Sequence, residues 1–237
     1  MKLFRCQSCG QLLYFENTQC ERCGHRLGYI PEAASLSALE PEGDAWRPLG
    51  RTGDTFRFCD NATHDVCNWL VATNSEDRFC AACRHNQLIP PLDDPANIVA
   101  WRKLEFAKHR LIYTLMRLRL PLQTRAEDSE HGLAFEFIAD TPETSGPKAM
   151  TGHDNGLITI AVAEADDAER EKRRVSMHEP YRTLLGHFRH EVGHHYWDLL
   201  VRDENREEAF RALFGDERQD YGEALQRHYA EGAPARW

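Results

Sequence analysis

Pro180-Tyr181-Arg182-Thr183-Leu184-Leu185-Gly186-His187-Phe188-Arg189-His190-Glu191-Val192-Gly193-His194 is the stretch on which the reading of this chain turns. Residues 190–194 have the form H-E-x-x-H, and the run from Pro180 to Val201 has the spacing of a strong helix. Its opening proline suits a first helical turn. Two histidines at i and i+4 stand one turn apart on one face, so both imidazoles can reach a single metal ion. Glu191 is then placed to hold and deprotonate a water at that ion. At about 100° per residue, His187, His190, His194 and Asp198 gather on one side of the helix. Tyr181, Leu185, Phe188, Val192 and Leu199 gather on the other. One face is expected to pack and the other to look into a site. His187 and His195 suit either a water-orienting role or a plain surface position. Asp198 suits either acceptance of an imidazole N–H or an ordinary solvated carboxylate.

All eight cysteines lie in the first 83 residues. Cys6-x2-Cys9, ten residues and Cys20-x2-Cys23 form one group, with Gly10 and Gly24 closing each pair. Cys59, Cys67 and Cys80-x2-Cys83 form the other, more irregular group. A C-x2-C turn aims two thiolates at one ion, and a second pair completes the tetrahedron that zinc prefers. Two structural four-cysteine zinc sites are therefore expected, with no disulfide and no cysteine left over. Segments this short cannot bury a core of their own, so bound metal would supply the missing folding free energy. Closed four-cysteine sites offer no open coordination position for catalysis.

Working outward, residues 1–30 read as a zinc ribbon. Residues 31–90 read as a linker followed by the second cysteine module, the linker being 31–55 with Pro31, Pro41, Pro48, Gly43, Gly50 and Gly53. From Asp94 to Pro121 the apolar residues Ile98, Trp101, Leu104, Leu111, Leu115 and Leu118 fall at helical spacing, a stripe expected to be core. Strands are expected at 133–138 and 156–162, the latter introduced by Asp154-Asn155-Gly156, with a polar stretch holding Pro142, Gly146 and Pro147 between them. The charged run 166–174 reads as a solvated helical face or loop. Shorter helices are expected near 205–214 and 218–230. The fold class is α+β. No apolar run approaches the roughly 18 residues a membrane span needs, and Cys6 interrupts any leader-like N-terminus. A soluble cytoplasmic protein without a membrane partner is the expectation. Lys+Arg 29 against Asp+Glu 38 gives −9, which argues against a broadly basic nucleic-acid surface. Lys2, Arg5, Arg22 and Arg26 against Glu16 and Glu21 leave only a local basic patch.

Thr151-Gly152-His153-Asp154-Asn155-Gly156-Leu157-Ile158-Thr159-Ile160, Glu164-Ala165-Asp166-Asp167 and the helix quoted above resemble a bacterial family of zinc-binding metallopeptidases that carry an N-terminal zinc ribbon. Phe210 to Glu217, Tyr221 to Leu225 and His228-Tyr229 extend the resemblance over essentially the whole chain. It implies a zincin-like domain over 91–237, with His190 and His194 as ligands and Glu191 as general base. It also implies a third ligand beyond Trp237, so the domain is expected to be incomplete at its C-terminal end and the catalytic zinc site empty or partly occupied. Glu207, Glu208, Glu217 and Glu223 lie downstream of His194, and Glu223 is the preferred stand-in.

The function expected is peptide-bond hydrolysis by metal-activated water, on a protein or peptide substrate lying along strand 157–162 as a sheet edge. The alternative is a zinc-ribbon protein-interaction module whose zincin scaffold is not catalytic.

Overall fold

The two N-terminal Cys-x2-Cys pairs each fold as a knuckle closed on glycine in the computed structural model, which describes residues 2–139, 151–176 and 182–231. Gly10 N–H donates to the Cys6 carbonyl at 2.9 Å, and Gly24 N–H donates to the Cys20 carbonyl at 2.8 Å. Both glycines sit at positive φ, 75° and 74°, where a Cβ would be strained. Strands β1 (Phe4–Arg5) and β2 (Leu12–Leu13) pair antiparallel across the first knuckle.

Beyond the second knuckle come β3 (Arg26–Ile30), β4 (Ser35–Glu42), β5 (Ala45–Pro48), β6 (Phe56–Phe58) and β7 (Leu70–Ala72), one antiparallel meander in that order. The linker expected over 31–55 is thus corrected, for β4 and β5 lie inside it. Its breakers punctuate the strands rather than replacing them. Pro31 opens the turn after β3, Gly43 (φ 61°) makes the turn between β4 and β5, and Pro48 ends β5. Ile30, Leu39, Phe56 and Leu70 form the meander's apolar cluster. Phe15, Tyr29, Trp69 and Tyr113 pack ring against ring, at centroid distances from 4.6 Å for Tyr29–Trp69 to 6.2 Å for Tyr29–Tyr113. This cluster joins the first ribbon, the meander and the following helix.

That helix, α1 (Pro95–Leu118), starts where the sequence indicates, with Asp94 Oδ1 accepting from Ala96 N–H at 2.8 Å. Trp101, Leu104, Leu111 and Leu115 are buried, whereas Ile98 is half-buried and Leu118, in the last position, is exposed. The helix is also buried well beyond one stripe, taking Glu105, Lys108 and His109 inside.

A second sheet carries the candidate site. Strands β8 (Asn86–Leu88), β9 (Ala134–Ile138), β10 (Gly152–Asp154) and β11 (Leu157–Ala161) lie in the order β10-β11-β9-β8. Strand β9 runs parallel to both β8 and β11, and β10 returns antiparallel. Asn155 (φ 43°) and Gly156 (φ 82°) make the two-residue turn whose twist suits a hairpin. The strand expected at 156–162 is present, but it is not the sheet edge. The turn folds 152–154 back on it and makes β10 the edge among the described residues.

Helix α2 (Asp167–Ser176) follows, then α3 (Leu184–Trp197), which carries the H-E-x-x-H motif. Thr183 Oγ1 accepts from Gly186 N–H at 3.1 Å at the start of α3; Pro180 and Tyr181 lie outside the described residues, as do Pro142, Gly146 and Pro147. Phe188 is fully buried against Phe135 and Phe137 of β9, at 5.8 and 6.3 Å between centroids. The first unit runs from Met1 to His195 and the second from Tyr196 to Trp237. The second holds a π-helical turn (Asp198–Arg202), α4 (Glu207–Phe214) and α5 (Tyr221–Glu231), with Phe210 packed between Trp197 and Phe214. Among the described residues no helix is long and apolar enough to cross a membrane.

Candidate metal centres

The eight cysteines form the two groups that their spacing indicates, Cys6/Cys9/Cys20/Cys23 and Cys59/Cys67/Cys80/Cys83, and all are free thiols. The Sγ separations are 3.6 Å for Cys6–Cys23, 3.6 Å for Cys9–Cys20 and 3.8 Å for Cys67–Cys80. Four sulfurs about 2.3 Å from a central zinc would stand about 3.8 Å apart, whereas a disulfide would need about 2.05 Å. Both groups therefore fit zinc. They differ in shelter, since Cys9 and Cys23 are partly exposed and all four members of the second group are buried. At the first, the backbone N–H of His25 leads the effects that bring the Cys23 thiol down to about 5. At the second, backbone N–H groups approach sulfur at 3.4 Å from Trp69 to Cys67, Cys80 to Cys59 and Cys83 to Cys80.

On α3 the Nε2 atoms of His190 and His194 stand 3.2 Å apart, their rings nearly perpendicular and both exposed. Two nitrogens bound at about 2.0–2.1 Å to a tetrahedral ion would stand about 3.3 Å apart, so the pair fits one ion. Glu191 is buried beside them, as Val192 is on the packed face.

The structure brings to this motif three groups whose roles the spacing did not reveal. His187 Nε2 lies 3.3 Å from Glu191 Oε1, and its Nδ1 lies 3.5 Å from Glu164 Oε2. Glu164, from the turn after β11, is almost fully buried and also receives Arg182 Nη2 at 3.1 Å. Burial alone would raise the Glu164 pKa, but His187 and Arg182 outweigh it and hold the carboxyl at about 2. Burial would likewise lower His187, yet its hydrogen bonds to Glu164 and Glu191 hold it at about 9. Glu191 is lowered, since the His187 hydrogen bond and the nearby imidazoles overcome its burial. The third group is His153 on β10. Its ring lies 6.1 Å from that of His194, nearly parallel, and 6.3 Å from that of His195. Its Nε2 accepts from Gly156 N–H at 3.1 Å, so in a neutral ring the proton is on Nδ1.

His195 is buried under the hairpin turn, and a Cβ at Gly156 would meet its Nδ1 at 3.2 Å and the Gly132 carbonyl at 2.8 Å. In the second unit Asp198 pairs with Arg202 at 2.8 Å. Among the described residues of the first unit, no third His, Cys, Asp or Glu ligand atom joins His190 and His194 within 4.8 Å. Glu223 stands exposed in the first turn of α5, its backbone N–H donating to Asp220 Oδ1 at 2.9 Å.

Comparison with known proteins agrees with this geometry. Residues 97–237 match a family described as "Putative zinc-binding metallo-peptidase", and residues 3–94 match a zinc-ribbon domain. An uncharacterized protein of Mycobacterium bovis and two from strains of Mycobacterium tuberculosis are each 40% identical over 238 residues, covering 100% of this chain and 65% of their own length. The chain thus spans about two thirds of the curated relatives it matches. No solved structure matches it. With ribbon cysteines at zinc spacing and an H-E-x-x-H pair within reach of one ion, the chain belongs to this zinc-binding metallopeptidase family and carries its zinc-ribbon domain in front.

Proposed function

We propose that the chain acts as a zinc-dependent peptidase, in the cytoplasm, with His190 and His194 as metal ligands and Glu191 as general base. The observation that carries this reading is the 3.2 Å imidazole pair with a buried, lowered carboxylate between its members in sequence. His190 and His194 would hold a zinc ion, which would supply Lewis-acid polarisation of the scissile carbonyl and lower the pKa of water toward about 7. Glu191, ionised over the neutral range, takes the proton of the attacking water and returns it to the leaving amine. His187 fixes Oε1 of that carboxylate, which leaves Oε2 for the proton. Glu164 and Arg182 fix His187 in turn, so the base does not swing away between steps. A protein or peptide substrate would pair by main-chain hydrogen bonds with the edge strand β10, whose His153 lies beside the ligand ring of His194.

The test is cleavage of a proteome-derived peptide library by the zinc-loaded chain and by Glu191→Gln. Cleavage by the former alone is expected. Equal cleavage by both would falsify the general-base assignment. The alternative reading is a zinc-ribbon protein-interaction module whose zincin scaffold is not catalytic, supported by the two closed four-cysteine groups that make up the N-terminal ribbon. That reading gives no cleavage by either form, with partner binding untouched by Glu191→Gln.

A further inference from the structure

The second cysteine group is sealed by a helix that lies outside the zinc-ribbon match, because α1 carries Glu105, Lys108 and His109 onto it. His109 Nε2 lies 3.5 Å from Cys67 Sγ, 3.7 Å from Cys83 Sγ and 3.9 Å from Glu105 Oε2. All three neighbours are acceptors when zinc is bound, so an Nε2 lone pair facing them would be repelled and an N–H would be welcomed. The ring is 3% exposed and tilts against Trp69 at 5.2 Å, which holds it in that orientation. Charge points the same way. Zinc with four thiolates is a net dianion in a dry site, and each bond donated to sulfur spreads that charge. Lys108 is already committed, with its Nζ 2.9 Å from Glu105, bonded to Asn86 and set over the rings of Phe135 and Phe137. Among the described residues, His109 is the side chain that presents nitrogen to two of the sulfurs.

We infer that His109 is a positioning residue of the second zinc site. Its Nε2–H is donated to the Cys67 and Cys83 thiolates, so zinc bound there clamps α1 onto the ribbon. The inference rests on that group holding zinc and is independent of the peptidase reading.

The experiment follows zinc release from the full chain to a colorimetric chelator, in the native form, in His109→Phe and in His109→Gln. Phe keeps the ring and loses the donor, whereas Gln keeps a donor. His109→Phe is expected to release the zinc of the second site about 10–100-fold faster, with the first site unchanged as an internal control and Gln recovering part of the loss. With cobalt in place of zinc, the sulfur-to-cobalt charge-transfer band of His109→Phe is expected to move to lower energy. Release at the native rate with an unmoved band would overturn the inference, and absence of zinc from the second site of the native chain would remove its basis. Should His109→Phe not fold, the native zinc-loaded chain decides the matter by histidine nitrogen NMR. An Nε2–H tautomer with a slowly exchanging proton is expected at His109, and an Nδ1–H tautomer contradicts it.

Discussion

Glu191 lies between two exposed histidines yet is itself buried, and that contrast defines the site at the scale of single residues. Its partner His187 sets a pH dependence whose sign follows from the shifts. His187 is raised from 6.5 to about 9, so its contribution to stability is complete below 6.5 and is lost as pH rises through 9. Glu164 is lowered from 4.5 to about 2, so its contribution is complete above 4.5 and is lost as pH falls through 2. His187→Gln should therefore lower Tm most between about pH 4.5 and 6.5, by several degrees, and the gap should narrow at alkaline pH. Thermal melts of both forms across pH check this, and a pH-independent gap would contradict it. The H-E-x-x-H pair was legible in the sequence because i and i+4 fix the geometry inside one helix. Glu164 and His153 were not, because sheet packing brings them to α3 and no local spacing records that contact.

At the scale of elements, the β10–β11 hairpin depends on Gly156. A side chain there would be strained at φ 82° and would press the Gly132 carbonyl at 2.8 Å. Gly156→Ala should cost about 1–3 kcal/mol from the backbone alone and displace His153 from His194. Denaturant unfolding, with histidine NMR for the ring pair, measures both effects; an unchanged midpoint would contradict the role of the turn. The two cysteine sites should also differ in weight. Cys80→Ser, in the fully buried group, should cost more than about 4 kcal/mol, and Cys9→Ser, partly exposed, should cost less. Helices announced themselves through apolar periodicity, as Trp101, Leu104, Leu111 and Leu115 do for α1. The meander did not, since Pro31, Gly43 and Pro48 read as a linker until strand pairing shows them at turns and ends. The buried Glu105, Lys108 and His109 escaped notice for a related reason. Polar residues on a helix read as its solvated face unless a partner for them is known.

For the whole molecule, the first unit crosses the boundary between the two family matches. Strand β8, within the ribbon match, pairs with β9 of the peptidase match at Asn86–Phe135. The buried His85, three residues before the end of β8, donates Nδ1–H to the Leu133 carbonyl at 2.8 Å. Residues 97–237 expressed alone should therefore lack an edge strand and the cover over Glu105, and give a spectrum without dispersed amide signals. A folded 97–237 fragment would contradict that coupling. Peptidase chemistry at α3 requires that its imidazole pair hold a metal in addition to the cysteines. The most direct measurement is zinc content by elemental analysis at saturating zinc, comparing the native chain with the His190→Ala/His194→Ala double variant. The native chain should bind one zinc equivalent more than the variant, both keeping their cysteine-bound zinc, whereas equal zinc content in the two would contradict the account.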